Sequence, residues 1–130
     1  MQMQDLTIHA VQILTHLHEH QGSVQTGAMI AKSVGITYPT FTRIAVRLRN
    51  KGLIMPSTDQ NGGYMLGKPA HEISFYDVFF AVERELRISL YLEDKRRPTE
   101  QGDCMIHEFL QTMQDHVIAE MSDKHIVDFS

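Results

Sequence analysis

Three side chains between Thr37 and Lys51 have the types and spacing of a helix that reads nucleic acid. Thr40, Arg43 and Arg47 stand at i, i+3 and i+7, a spacing that lines residues up along one side of an α-helix. Arginine can grip guanine O6 and N7 together, and threonine can serve a base or its methyl group, so Thr40 and Arg43 are the candidates for base contact. Arg47, Arg49 and Lys51 suit phosphate oxygens, which fix position without reading sequence. Thr37 and Tyr38 ahead of them, and Gln60 and Asn61 in a polar stretch downstream, complete the candidate DNA-contacting set. The plainer reading, an ordinary solvated helix face, has to be weighed against the context of these residues.

A second chemistry is suggested by histidines. His16, His18 and His20 alternate, and His16 with His20 at i, i+4 could grip a metal or titrate near neutral pH. No third ligand is evident, so solvated or partly buried side chains are expected. There is no glycine-rich phosphate loop, no His-Glu-x-x-His and no nucleophile elbow, so no enzyme is indicated.

These candidates need elements to hold them. Leu6, Ala10, Ile13, Leu14 and Leu17 keep helical period over residues 6–18, and Gly22 ends the run. A shorter helix from about Thr26 to Val34 is expected to bury Ala28, Ile30 or Met29, Ala31 and Val34, stopping at Gly35, where a left-handed exit is easy. A third follows at once. Thr37 can cap it, Pro39 is tolerated in its first turn, and Phe41, Ile44, Ala45 and Leu48 share one face. Leu53-Ile54-Met55 and Tyr64-Met65-Leu66, on either side of a polar tip ending Asn61-Gly62-Gly63, read as a β-hairpin. Gly62 and Gly63 permit positive backbone angles and close approach, and the Tyr64 ring can pack on the third helix. Ser74, with Asp77 as a short capping box, opens a fourth helix to about Glu83 that buries Phe75, Val78, Phe79 and Val82. Arg87 to Leu92 reads equally as strand or helix, and Glu93 to Gly102 as an exposed loop. A last helix begins near Asp103. Its stripe of Ile106, Phe109, Leu110, Met113, Val117 and Met121 is longer than a small domain covers, so pairing in a homodimer is expected.

Two helices across a tight turn, followed by a hairpin, have the layout of a winged helix-turn-helix, mostly α with a small β-hairpin. Residues 1–86 would form the DNA-binding domain and 87–130 a sensor loop and dimerisation helix. Composition agrees. A chain of 130 residues has room for one compact domain with a helical appendage. Hydrophobic residues at 42% and charged residues at 22% exclude a disordered or collagen-like chain. No apolar run approaches the ~20 residues of a membrane span, so no membrane is expected. The N-terminus lacks a basic and then apolar leader, which makes the cytoplasm the expected location. A single cysteine rules out a disulfide-stapled scaffold. Charge is unevenly spread, with a net +3 over residues 1–69 and −7 over 70–130, so a surface for a polyanion belongs in the first half.

The ordered string Lys51-Gly-Leu-Ile54, Gly62-Gly-Tyr-Met-Leu66, Pro69, Glu72-Ile-Ser74, Asp77-Val78 and Ala81-Val-Glu83 resembles the signature of the bacterial winged-helix regulator family that includes IscR, NsrR and CymR, the Rrf-two family. The likeness spans most of the chain. It implies a homodimeric transcription factor, often a repressor, whose long C-terminal helix crosses to its partner. Such a dimer takes double-stranded DNA at a pseudo-palindromic operator. Members of the family that carry a cluster place three cysteines in the loop before the long helix and at its start. Here only Cys104 remains, and with His107 it matches the end of that pattern; at i, i+3 both side chains could face one metal. The resemblance thus leaves open an iron-sulfur cluster with an atypical ligand set, completed by His9 or by an acid from a partner's first helix. Cys104 as an oxidant-sensing thiolate and Cys104 as a small packed residue stand beside that reading. The wing also departs from the family, because Asp59 precedes the glycines where an arginine is often found. That departure supports a second reading: a protein-interaction adaptor of the same fold that binds a metabolic enzyme and has lost DNA binding.

Overall fold

The computed structural model describes residues 5–58, 62–83 and 101–130. Helix α1 (Asp5–Glu19) buries Thr7, Ala10, Ile13, Leu14 and Leu17, the stripe its period required, and supplies one wall of the core. Helix α2 (Gly27–Val34) is capped by Thr26, whose side chain accepts from the Met29 N–H, and closes at Gly35 with φ 83°. It departs from expectation in what it buries. Ile30 and Ala31 are inside, Val34 is half-buried, and Ala28 and Met29 are exposed. A helix of two turns presents only a narrow stripe, and residues 27, 30, 31 and 34 fill it.

Helix α3 (Tyr38–Asn50) begins at Thr37, which accepts from the Thr40 N–H, and buries Phe41, Ile44, Ala45 and Leu48. The hairpin pairs β1 (Ile54–Pro56) with β2 (Tyr64–Leu66) antiparallel, Ile54 opposite Leu66, Met55 opposite Met65 and Pro56 opposite Tyr64. Gly67 N–H donates to Leu53 O and Ser57 N–H to Gly63 O, both at 2.9 Å. The alternation of an antiparallel ladder then turns position 56 away from β2, where proline breaks no bond. Tyr64, opposite it, directs its own N–H outward.

Helix α4 (Phe75–Glu83) has the capping box its sequence suggested. Ser74 N–H donates to Asp77 Oδ2 and Asp77 N–H to Ser74 Oγ, each at 3.0 Å. Val78, Phe79 and Val82 are buried and Phe75 is half-buried. Helix α5 (Gln101–Asp123) starts two residues before the expected point. Its second half packs on its own chain, with Met121 buried against Phe79, and Val117 beside them. These two residues were expected to face a partner; α4 lies where it covers them first.

The chain then does something no periodicity announced. Phe75 N–H donates to Lys124 O at 2.7 Å, Ile126 N–H donates to Ile73 O at 2.9 Å, and a 3₁₀ turn runs Ile126–Phe129. Ile126 is fully buried in the same core as Leu14, Ile44 and Val78, so a residue of the expected second unit completes the interior of the first. Among the described residues, no helix is long and apolar enough to cross a membrane.

Candidate nucleic-acid interface

The outward face of α3 follows from its buried one. At 3.6 residues per turn, the positions opposite Phe41, Ile44, Ala45 and Leu48 are Pro39, Arg43, Val46 and Asn50, and all four are exposed. Thr42 and Arg49 flank them, also exposed, and the Thr42 hydroxyl donates to Tyr38 O at 3.1 Å. Tyr38 stands at the head of the helix, 56% exposed.

The expected row of Thr40, Arg43 and Arg47 does not face outward as a unit. Thr40 is half-buried, and its hydroxyl accepts from Thr37 Oγ1 at 2.9 Å. Arg47 is half-buried too, and its Nη1 donates to Val82 O at 2.7 Å. Its guanidinium therefore meets a backbone carbonyl in the last described turn of α4. Glu83, next in that helix, accepts from Thr7 Oγ1, so α4 is tied at this end to both α3 and α1.

Arg43 and Arg49 have no carboxylate partner among the described residues. Lys51 is exposed at the base of the wing, its Nζ 4.9 Å from the centroid of the Phe80 ring, close enough for a cation–π contact. The wing packs on the recognition helix through Tyr64, whose ring meets Phe41 edge-on at 5.5 Å. Gln60 and Asn61 lie outside the described residues, as do residues 84–100.

Sequence reasoning missed Thr42, Val46 and Asn50. The signal was present in the apolar period of α3: counting from the middle of the buried stripe, rather than from the basic residues, leads to them.

The N-terminal half of α5 carries an uncovered apolar ridge. Ile106 is 54% exposed, Phe109 is 64% exposed, and Met105 and Met113 are exposed beside them; Leu110 is half-buried.

The family model of Rrf2, described as iron-dependent transcriptional regulator, matches residues 3–130. The chain belongs to the Rrf2 family. IscR of Photorhabdus laumondii is 31% identical over 107 residues, covering 82% of this chain and 63% of that protein. IscR of Pectobacterium atrosepticum is 30% identical over 102 residues, 78% of this chain and 60% of that one. The chain thus spans less than two thirds of the length of these curated relatives. Among solved structures, CymR, the global cysteine regulator of B. subtilis, superposes with a TM-score of 0.77 at 16% identity, over 99% of this chain and 95% of that one. T. potens IscR gives 0.73 at 18% identity, over 99% and 85%. These two likenesses establish the winged-helix fold. The Rrf2 family is one of transcription regulators, not enzymes.

Among the described residues, the donor set of this Rrf2 chain does not fit an iron-sulfur cluster. The single cysteine, Cys104, is exposed in the first turn of the described part of α5, and His107 is half-buried one turn on. His9, on α1, has its Nδ1 3.1 Å from Gln12 Oε1. Among the described residues, no three His, Cys, Asp or Glu side chains gather as metal ligands, and clusters are held by several thiolates with at most some histidine replacement. Nor do His16 and His20 form a metal grip. Their rings stack at 4.1 Å, and His20 Nδ1 lies 2.8 Å from His16 O.

Proposed function

We propose that this chain is a homodimeric, sequence-specific DNA-binding transcription regulator. The observation that carries the reading is the outward face of α3, where Arg43 and Arg49 stand exposed without a carboxylate partner among the described residues, in a chain of net charge −4. Arg43, at the centre of that face, addresses base edges, with Thr42 and Val46 beside it suited to thymine methyl groups. Arg49 and Lys51 hold phosphates, and Thr37, Tyr38 and Thr40 sit at the end of the helix that enters the groove. Gln60 and Asn61 complete the proposed contact set by their place in the sequence. Arg47 serves the interface from behind, holding α4 against α3.

Residues 1–86 carry the DNA contacts, and 87–130 carry dimerisation through the Ile106, Phe109 and Met113 ridge. Two copies place their recognition helices on half-sites ~34 Å apart along the duplex. In this reading the protein acts in the cytoplasm, and occupancy of its operator represses. A redox signal would reach the dimer face through the exposed Cys104.

The test is selection from a pool of random duplexes, followed by binding over a salt series. Enrichment of a pseudo-palindrome is expected, with affinity falling by about 0.9 log unit per log unit of salt for each phosphate neutralised. Failure to prefer any duplex would replace this reading with that of a protein-binding adaptor.

A further inference from the structure

Gln25 lies in the loop before α2, yet it is only 4% exposed. Burying an amide is unfavourable unless its polar groups find partners, and here they do. Oε1 lies 2.7 Å from Nε2 of His16, Nε2 donates to Ser23 Oγ at 2.8 Å, and the backbone carbonyl accepts the Tyr64 N–H at 2.9 Å. His16 is held in turn. Its Nδ1 lies 3.1 Å from Ser33 Oγ on α2, and its other face is covered by the stacked ring of His20. A continuous set of contacts therefore runs from α1 and α2 through Gln25 into β2.

On the wing side the fit is close. A Cβ at Gly63, where φ is 104°, would sit 2.6 Å from Gln25 O, so the backbone at the end of the wing tip rests directly on the loop. The next residue after Gln25, Thr26, caps α2, the first helix of the helix-turn-helix. A two-stranded hairpin is marginal in water by itself, so this wing needs an anchor outside its own ladder.

We propose that Gln25 is a positioning residue for DNA binding. Its buried side chain, gripped by His16, holds the loop to which Tyr64 is hydrogen-bonded, and this sets the wing against the recognition helix. Gln25 itself touches no DNA. The inference rests on the DNA-binding reading only for its affinity arm.

Full-length Gln25→Ala and Gln25→Glu are compared with the parent in two measurements: hydrogen exchange of individual amides by NMR, and affinity for a duplex that the parent selects from a random pool. In Gln25→Ala, the Tyr64 amide exchanges about tenfold faster or more, as loss of one buried hydrogen-bond partner implies. The amides of Leu14 and Leu48 keep their rates, and the duplex binds about tenfold more weakly. Gln25→Glu retains an acceptor for His16 Nε2 and restores slow exchange at Tyr64. Unchanged Tyr64 exchange in Gln25→Ala overturns the proposal, and so does equal acceleration at Tyr64, Leu14 and Leu48, which marks a general loss of stability. Fast Tyr64 exchange with undiminished affinity overturns the positioning role. If the parent selects no duplex, the DNA-binding reading fails, while Tyr64 exchange still decides whether Gln25 holds the wing.

Discussion

Replacing Arg47 and Arg43 separately by alanine should produce opposite signatures, although both are arginines of one helix. Arg47 Nη1 meets Val82 O at 2.7 Å, and hydrogen bonds to charged groups contribute about 1.5–3 kcal/mol. Arg47 is half-buried, and water can reach the carbonyl once the side chain is gone, so the lower figure applies. For 130 residues, at about 2.1 cal/mol/K of unfolding entropy per residue, a loss of about 1.5 kcal/mol lowers Tm by about 5 °C. Arg43 is exposed, and surface substitutions stay within about 0.5 kcal/mol, so Arg43→Ala should move Tm by less than about 2 °C. Its effect belongs in recognition, where losing a bidentate base contact removes about 1–3 kcal/mol of discrimination at one position. Calorimetry at fixed protomer concentration gives the first quantity, because Tm of a dimer depends on concentration. Competition binding with duplexes changed one base at a time gives the second. If Arg47→Ala leaves Tm unmoved, weakens all duplexes alike and flattens the salt dependence by about one unit, then Arg47 is a phosphate ligand and the clamp argument is wrong.

Three further outcomes are expected. Ile126→Ala removes a fully buried side chain and should destabilise the protein by about 2–5 kcal/mol in denaturant unfolding; a loss below about 1 kcal/mol would mean that the C-terminal turn is not part of the cooperative core. Phe109→Asp changes a residue 64% exposed in the single chain, so the protomer should stay folded by circular dichroism while sedimentation shows it monomeric; a persistent dimer would move the interface away from the α5 ridge. Protein purified without oxygen should show no iron-sulfur absorbance and no acid-labile sulfide, since each chain brings one thiolate and, among the described residues, no set of three ligands gathers around it; a coloured, sulfide-containing preparation would contradict that reading of the donor set.

What is legible in the sequence, and what is not, divides along one physical line. The apolar period of α3 and the reciprocal Ser74 and Asp77 pair are local, so residue order alone places the recognition helix and the start of α4. Spacing also puts Arg47 on the same side of α3 as Thr40. It cannot say that Val82 of α4 lies beside Arg47, and that neighbour decides whether a guanidinium meets a carbonyl or a phosphate. The stripe on α5 is divided in the same way: Met121 finds Phe79 within its own chain, while Phe109 stays exposed there, and the two are alike in period and apolarity. Val46 escapes a search for charge, because an apolar residue on an exposed face leaves no trace in it. Ile126 and Gln25 sit in segments too short for any period, one apolar and one polar; both are buried, and the backbone of each is hydrogen-bonded to a residue distant in sequence, Ile73 and Tyr64. The consequence for function is specific. Base-facing residues can be chosen from helical phase, provided the phase is measured from the buried stripe. Residues that position the wing and α4 are defined by a distant backbone group that each one meets, so they emerge only once the chain has folded.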